Sequence, residues 1–216
     1  MAPRGKPVSA EPRELPSAGR RSERADARRN RLRILSAAAE LIGEQGLEQV
    51  TIDDIAARAG VAKGTVFHRF GNRAGLAVAL LDERERKLQD RLLSGPPPLG
   101  PGALPAERLV AFLHALIDFT DENLDLLIVS DYDEPGGRYR TGAYAAWRLH
   151  VAGLLRDAGA GRQAAGLADT LLAPAAADLV RHRRRELGVP RTSLKRELEL
   201  LARAACEALA AKPSGA

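Results

Sequence analysis

The sequence predicts an all-α protein, and three observations predict it. Residues Thr51 to Phe70, TIDDIAARAGVAKGTVFHRF, divide into two short helical segments at Gly60. Over most of the remaining chain apolar residues return every three or four positions, the period of a helix with one buried face. No stretch shows the alternation of a half-buried strand, and no internal repeat is present.

The elements follow in order. Residues 1–25 are rich in Pro, Gly, Ser and charge, with too few apolar groups to offset the entropy of ordering, so a disordered basic tail is expected there. Arg20, Arg21, Arg24, Arg28 and Arg29 stand where an arm would reach phosphates or a minor groove; for the earliest of them a solvated linker fits equally well. From about Asp26 to Glu44 a helix places Leu32, Leu35, Ala39 and Ile42 on one face, widened by Ile34, Ala38 and Leu41. Gly46 ends it, and Leu47 and Val50 lead on to Thr51. Thr51 with Asp54 three residues later is an acidic capping box, which starts the next helix. Ile52, Ile55, Ala56 and Ala59 make its apolar stripe, and Gly60 stops it, because glycine enters a left-handed turn without steric cost. A following helix from about Ala62 turns Val66 and Phe70 inward. It leaves Lys63, Thr65, His68 and Arg69 outside as hydrogen-bond donors and contains no acid. Ala56 and Gly64 are small, as close helix crossing or backbone approach to DNA requires. Asn72 caps a fourth helix running to about Leu93.

The segment SGPPPLGPGALP, Ser94 to Pro105, breaks that helix and reads as a linker or mobile loop. Ala106 to Asn123 is an apolar helix, and a shorter one begins at Leu126 to Val129. A loop, SDYDEPGGRYRTG, precedes a helix from about Ala143 to Ala158. Arg162 to Leu187 is expected as one helix bent at Pro174, and Thr192 to Ala211 as the last.

Charge is distributed unevenly. Residues 1–33 carry ten Lys and Arg against four Asp and Glu, whereas residues 34–216 carry 23 against 24, so the formal net charge of +5 resides at the N-terminal end. That asymmetry suggests a directed basic face for nucleic acid rather than a uniformly adhesive surface. No apolar run reaches the length of a membrane span, and the N-terminus lacks the apolar core of a secretory signal, so a cytoplasmic protein is expected. The single cysteine, Cys206, excludes an intramolecular disulfide and reads as a small buried hydrophobe.

The run GVAKGTVFHRFGNRAGL resembles, without a gap, the G-V-S-x-G-T-L-Y-x-H-F-x-S-K-E-x-L pattern of the TetR family of transcriptional regulators, and the likeness extends over about Arg28 to Leu81. The resemblance implies an N-terminal three-helix helix-turn-helix domain, 26–81 with its motif at 51–70, followed by a helical effector-binding and dimerisation domain, 82–216. It places Lys63, Thr65 and His68 on positions that contact DNA in relatives and puts Arg73 where a phosphate-binding lysine usually stands. Arginine can serve there through its planar fork. The expected DNA-binding set is Thr51, Lys63, Gly64, Thr65, Phe67, His68, Arg69 and Arg73. Phe67 replaces the usual tyrosine and so lacks a hydroxyl that often reaches a phosphate. Ala74 and Gly75 replace a more acidic helix start.

By the same resemblance the last two helices of each subunit form a four-helix dimer interface, with Leu171, Leu172, Leu179, Leu194, Leu198, Leu201 and Leu209 as candidate contacts, some of them necessarily intrachain core. A two-fold homodimer suits a palindromic operator, since one such motif reads only a few base pairs. Among the middle helices, Phe112, His114, Phe119, Tyr144, Trp147 and His150, with Tyr132, are candidates for an effector pocket, and an apolar or aromatic small molecule is expected.

Enzyme chemistry has little support. His68, His114, His150 and His182 lie far apart with no metal-ligand spacing, and neither a phosphate-binding glycine loop nor a nucleophile elbow occurs. No cofactor is expected. The acidic DYDE, Asp131 to Glu134, lacks the pattern of a calcium loop, and RHRRREL, Arg181 to Leu187, reads as a charged helix end. The sequence therefore points to a sequence-specific DNA-binding transcriptional regulator, a repressor released from its operator by a small molecule. The alternative is a helical adaptor, binding small molecules or proteins, that no longer reads DNA.

Overall fold

The computed structural model describes residues 18–131 and 136–211. Tyr132, Asp133 and Glu134 lie outside the described residues, as does the tail before Ala18. Among the described residues there are α-helices joined by short turns, and no strand.

Helix α1 (Ala18–Gln45) begins inside the segment expected to be tail. The reason is local: AGRRSERADARR is polar enough to resemble a disordered segment, yet its Ala, Arg and Glu are strong helix formers. Helix α2 (Ile52–Ala59) starts at a complete capping box on Thr51 and stops at Gly60, whose φ of 63° is left-handed. Helix α3 (Lys63–Phe70) buries Val66 and Phe70. Helix α4 (Arg73–Ser94) is capped by the Asn72 side chain, which accepts from the Gly75 amide at 2.9 Å. Ile34, Ala38 and Leu41 of α1, Ile55 and Ala59 of α2, Val66 of α3 and Leu76 and Leu80 of α4 make one apolar core.

The connection after α4 is a packed turn rather than a mobile loop. Gly100 is buried, its amide donates to the Pro96 carbonyl at 3.0 Å, and Leu99 packs against both apolar cores. A Cβ on Gly100 would stand 1.8 Å from the Gly95 carbonyl oxygen, so only glycine closes the turn. Helix α5 (Pro105–Glu122) then runs through the centre of the body, with Leu109, Phe112, Leu113 and Ile117 fully enclosed. Around it lie α6 (Leu124–Asp131), α7 (Gly142–Asp157), α8 (Ala164–Leu172), α9 (Ala177–Arg181) and α10 (Arg191–Ala210).

The helix expected over Arg162 to Leu187 is divided, not bent. Pro174 stands in a tight turn, Ala173–Ala175, that separates α8 from α9, because its ring excludes the preceding helical carbonyl. Five of the seven leucines considered for a dimer interface, Leu171, Leu172, Leu194, Leu198 and Leu209, are buried within the chain. Leu179 and Leu201 remain open, at 40% and 52% exposure. Cys206 is buried as expected, and burial pushes its thiol pKa up.

Candidate functional site

Two places bring functional side chains together: the outer face of α2 and α3, and a cavity beside α4. On the first, Thr51 fixes the start of α2. Its hydroxyl accepts from the Asp54 amide at 3.2 Å and donates to Asp54 Oδ2 at 2.6 Å, while its own amide donates to the same oxygen at 3.0 Å. Those hydrogen bonds hold the Asp54 carboxyl below its ordinary pKa, the Thr51 hydroxyl contributing most. Both donors of Thr51 are thus directed to Asp54, which makes it a positioning residue for the motif.

The N-terminus of α3 is left open: Ala62 provides no side-chain cap and no acid occupies the first turn. Amides at such an end, with the positive helix terminus behind them, suit a phosphate. Gly64 sits on this turn, and a Cβ there would meet nothing within 4 Å, so internal packing does not require glycine. Phe67 is half exposed, His68 is exposed and Thr65 is half-buried. Lys63 Nζ pairs with Asp53 at 2.9 Å, with both side chains more than half exposed. A pair of that kind contributes little and yields readily to a phosphate.

Arg69 is placed differently from the expectation of a free outward donor. Its guanidinium donates to the Ala27 carbonyl at 2.6 Å and holds α1 against α3. Two arginines that the motif did not single out act alongside it: Arg33 donates to the Ala59 carbonyl at 2.6 Å, and Arg31 lies 5.5 Å over the Phe70 ring. Arg73 donates to the Glu48 carbonyl at 3.0 Å and remains exposed. One carbonyl occupies only part of its fork, so further donors face outward.

The cavity, of about 500 Å³, lies between α4, the C-terminal end of α5, α6, the turn Gly137–Arg140 and the start of α7, with Ala175 and Ala177 closing it. Val78, Leu81, Leu127, Tyr144 and Trp147 give it an apolar lining, Asp82 and Glu85 stand on its α4 side, and Arg138 and Arg140 on its turn side. Tyr144 donates from its hydroxyl to Asp169 at 2.9 Å; burial, and then that hydrogen bond, push its pKa up to about 12, so it stays a phenol.

The structure does not bring the six effector candidates together. Tyr144 and Trp147 line the cavity, and Phe119 packs edge-on behind Trp147 at 5.7 Å. Phe112 is core, with His150 edge-on to it at 5.1 Å. His114 points elsewhere, towards the Lys195 carbonyl at 3.1 Å and Glu199 at 3.6 Å. The missed residues, Val78 and Asp82 on α4, Thr120 on α5 and Arg138 in the turn among them, are scattered along the chain and share no local motif.

The basic run near residue 183 is not an anion site. Arg183 pairs with Glu197, Arg184 with Asp121 and Arg185 with Asp125, at 2.6 to 2.9 Å. Among the described residues no group of His, Cys, Asp and Glu is arranged to hold a metal, and no helix is long and apolar enough to cross a membrane.

Residues 34–80 match the sequence model of a family described as "Bacterial regulatory proteins, tetR family". The HTH-type transcriptional regulator TtgW of Pseudomonas putida, itself uncharacterised, is 32% identical over 117 residues, which span 54% of this chain and 85% of that protein. A transcriptional regulator from Rhodococcus sp. superposes with a TM-score of 0.64 at 22% identity, over 85% of this chain and 99% of the other. A regulator from Saccharomonospora viridis, solved in complex with choline, gives 0.60 at 22% identity, over 80% and 95%. These two structures share the fold.

Proposed function

The chain belongs to the TetR family of bacterial transcriptional regulators, and on that premise we propose that it is a dimeric repressor that leaves a palindromic operator when a small molecule fills the cavity beside α4. The observation that carries this reading is the open, acid-free start of α3 with Lys63, Thr65, Phe67 and His68 on its outer side. Lys63 and Thr65 touch bases or phosphates, the Gly64 backbone comes close to the duplex, and Phe67 packs on the sugar-phosphate surface. His68 and Arg73 hold phosphates. Thr51 and Arg69 set the positions of α2 and α3 from behind.

In this reading residues 26–81 read DNA and residues 82–216 sense and dimerise. That the S. viridis regulator holds choline supports a small-molecule occupant for a body of this fold. Release requires the occupant to bind the operator-incompetent conformation more tightly than the competent one. The protein catalyses no reaction in this reading and works in the cytoplasm, where its DNA is.

A footprint of the purified protein on DNA flanking its own gene, with excess nonspecific competitor, tests the reading. A protected palindrome is expected. Failure there and in selection from random DNA would leave the adaptor reading in its place.

A further inference from the structure

We propose that the cavity beside α4 takes an organic monocarboxylate with an apolar body, its carboxylate held by Arg138. This rests on the effector reading of the cavity and adds the chemical class of the occupant.

Arg138 is the first reason. Its guanidinium lies 5.1 Å over the Tyr139 ring and 5.7 Å over the Tyr144 ring, and among the described residues it has no carboxylate partner. Contact with ring faces spends none of its N–H groups, which leaves them free to donate. A half-buried, permanently charged fork held in that way is matched by a carboxylate, which accepts two of its hydrogen bonds at once. Neighbouring Arg148 shows the contrast, since it is already neutralised by Asp169 at 2.7 Å.

The rest of the lining is the second reason. Val78, Leu81, Leu127 and the ring of Trp147 give it an apolar surface, and the hydroxyls of Thr120 and Ser130 already donate to the Ala175 and Leu127 carbonyls, at 3.2 and 2.9 Å. Arg138 is therefore what an anionic group on an otherwise apolar occupant would meet there.

The opposite wall sets the orientation. Asp82 lines the cavity on its α4 side and Arg138 on its turn side, while Glu85 and Arg140 are engaged in interactions of their own. An anion is repelled from α4 and drawn to the turn, so the carboxylate end lies by α7 and the apolar body reaches α4. A second carboxylate on the occupant would meet Asp82, which limits the class to monoanions.

Trp147 is the chain's single tryptophan, so its emission reports occupancy directly. The probes are phenylbutyrate and its uncharged and cationic counterparts, phenylbutyramide and phenylbutylamine, titrated against the full chain. Phenylbutyrate is expected to give a saturable change and to bind at least about tenfold more tightly than the amide, the margin of one charge-assisted contact. Arg138→Gln should collapse the preference for carboxylate over amide, and Asp82→Asn should strengthen phenylbutyrate binding. Equal affinity for acid and amide, tighter binding of the amine, an unchanged preference in Arg138→Gln, or no saturable response to any probe overturns the proposal. The operator footprint, made without ligand, separates the two failures. A protected operator with no carboxylate selectivity sinks only the ligand class, whereas absence of any operator sinks the regulator reading beneath it.

Discussion

Lys63 illustrates how little holds the DNA-facing side chains in the free protein. Its exposed pair with Asp53 exchanges for a phosphate or base contact at small cost, and Thr65 beside it is likewise uncommitted. Replacing either with alanine should weaken specific operator binding by about 1 to 3 kcal/mol while leaving the dimer intact, as gel-shift titration against specific and scrambled duplexes would show. Wild-type binding by both variants would mean that α3 is not the reading helix. If Arg73 holds a phosphate, Arg73→Ala is expected to lower affinity on every sequence and to reduce the salt slope by about 1. An unaltered slope removes it from that role. His150 makes a different prediction, about pH. Burial first, and Arg108 second, depress its imidazole pKa, so the unfolded chain binds its proton more readily. Its contribution to stability is therefore complete above the ordinary imidazole value of 6.5 and is lost as pH falls from there through the folded value. Urea unfolding across that range should show less acid sensitivity in His150→Gln than in the wild type.

Among the elements, α2 has the most explicit local instruction, since both ends are written in side chains or backbone freedom. Thr51→Ala removes the reciprocal cap and should destabilise the chain by about 1 kcal/mol, measured by urea unfolding. An unchanged midpoint would show that packing alone fixes the helix start. Such elements were legible in the sequence: the capping box, Gly60, Asn72 and the apolar spacing of α5 each state their own boundary. The start of α1 was not, because solvated helix and disordered tail share a composition when no tertiary partner is visible. Nor was the division at Pro174, since a proline can bend a helix or end it according to what packs alongside. The leucines of α8 and α10 show the same limit in another form. Periodicity identifies a buried face on each helix, but whether α7 and α5 of the same chain or a second subunit cover them depends on contacts distant in sequence. The candidate site divides likewise: the α3 face is one contiguous motif, whereas the cavity is assembled from residues between Val78 and Ala177.

At the scale of the whole molecule, positive charge is concentrated at one end. The basic run at the end of α9 is matched by acids on α5, α6 and α10, with Arg191 also reaching Asp118 and Glu122, at 3.3 and 3.2 Å. The uncompensated positive charge is left to the N-terminal domain, where a duplex would be engaged. Leu201 and Leu200 stand on the outer side of α10, at 52% and 69% exposure. If that side meets a second subunit, Leu201→Asp should dissociate the dimer in sedimentation and weaken binding to a two-half-site operator far more than to a single half-site. A variant that sediments as the wild type does would place the interface elsewhere. Helix α4 joins these parts, since Leu76 and Leu80 belong to the DNA-binding core, Val78, Leu81 and Asp82 to the cavity wall, and Leu92 to the core of the body. One rod with two clients cannot serve them independently. If the cavity's occupant lowers affinity for the operator by some factor, the operator lowers affinity for the occupant by the same factor. The concentration that triggers release is therefore not a property of the protein alone: a promoter with a tight operator would answer only to a higher dose than one with a loose operator, and a single regulator would grade the responses of several genes.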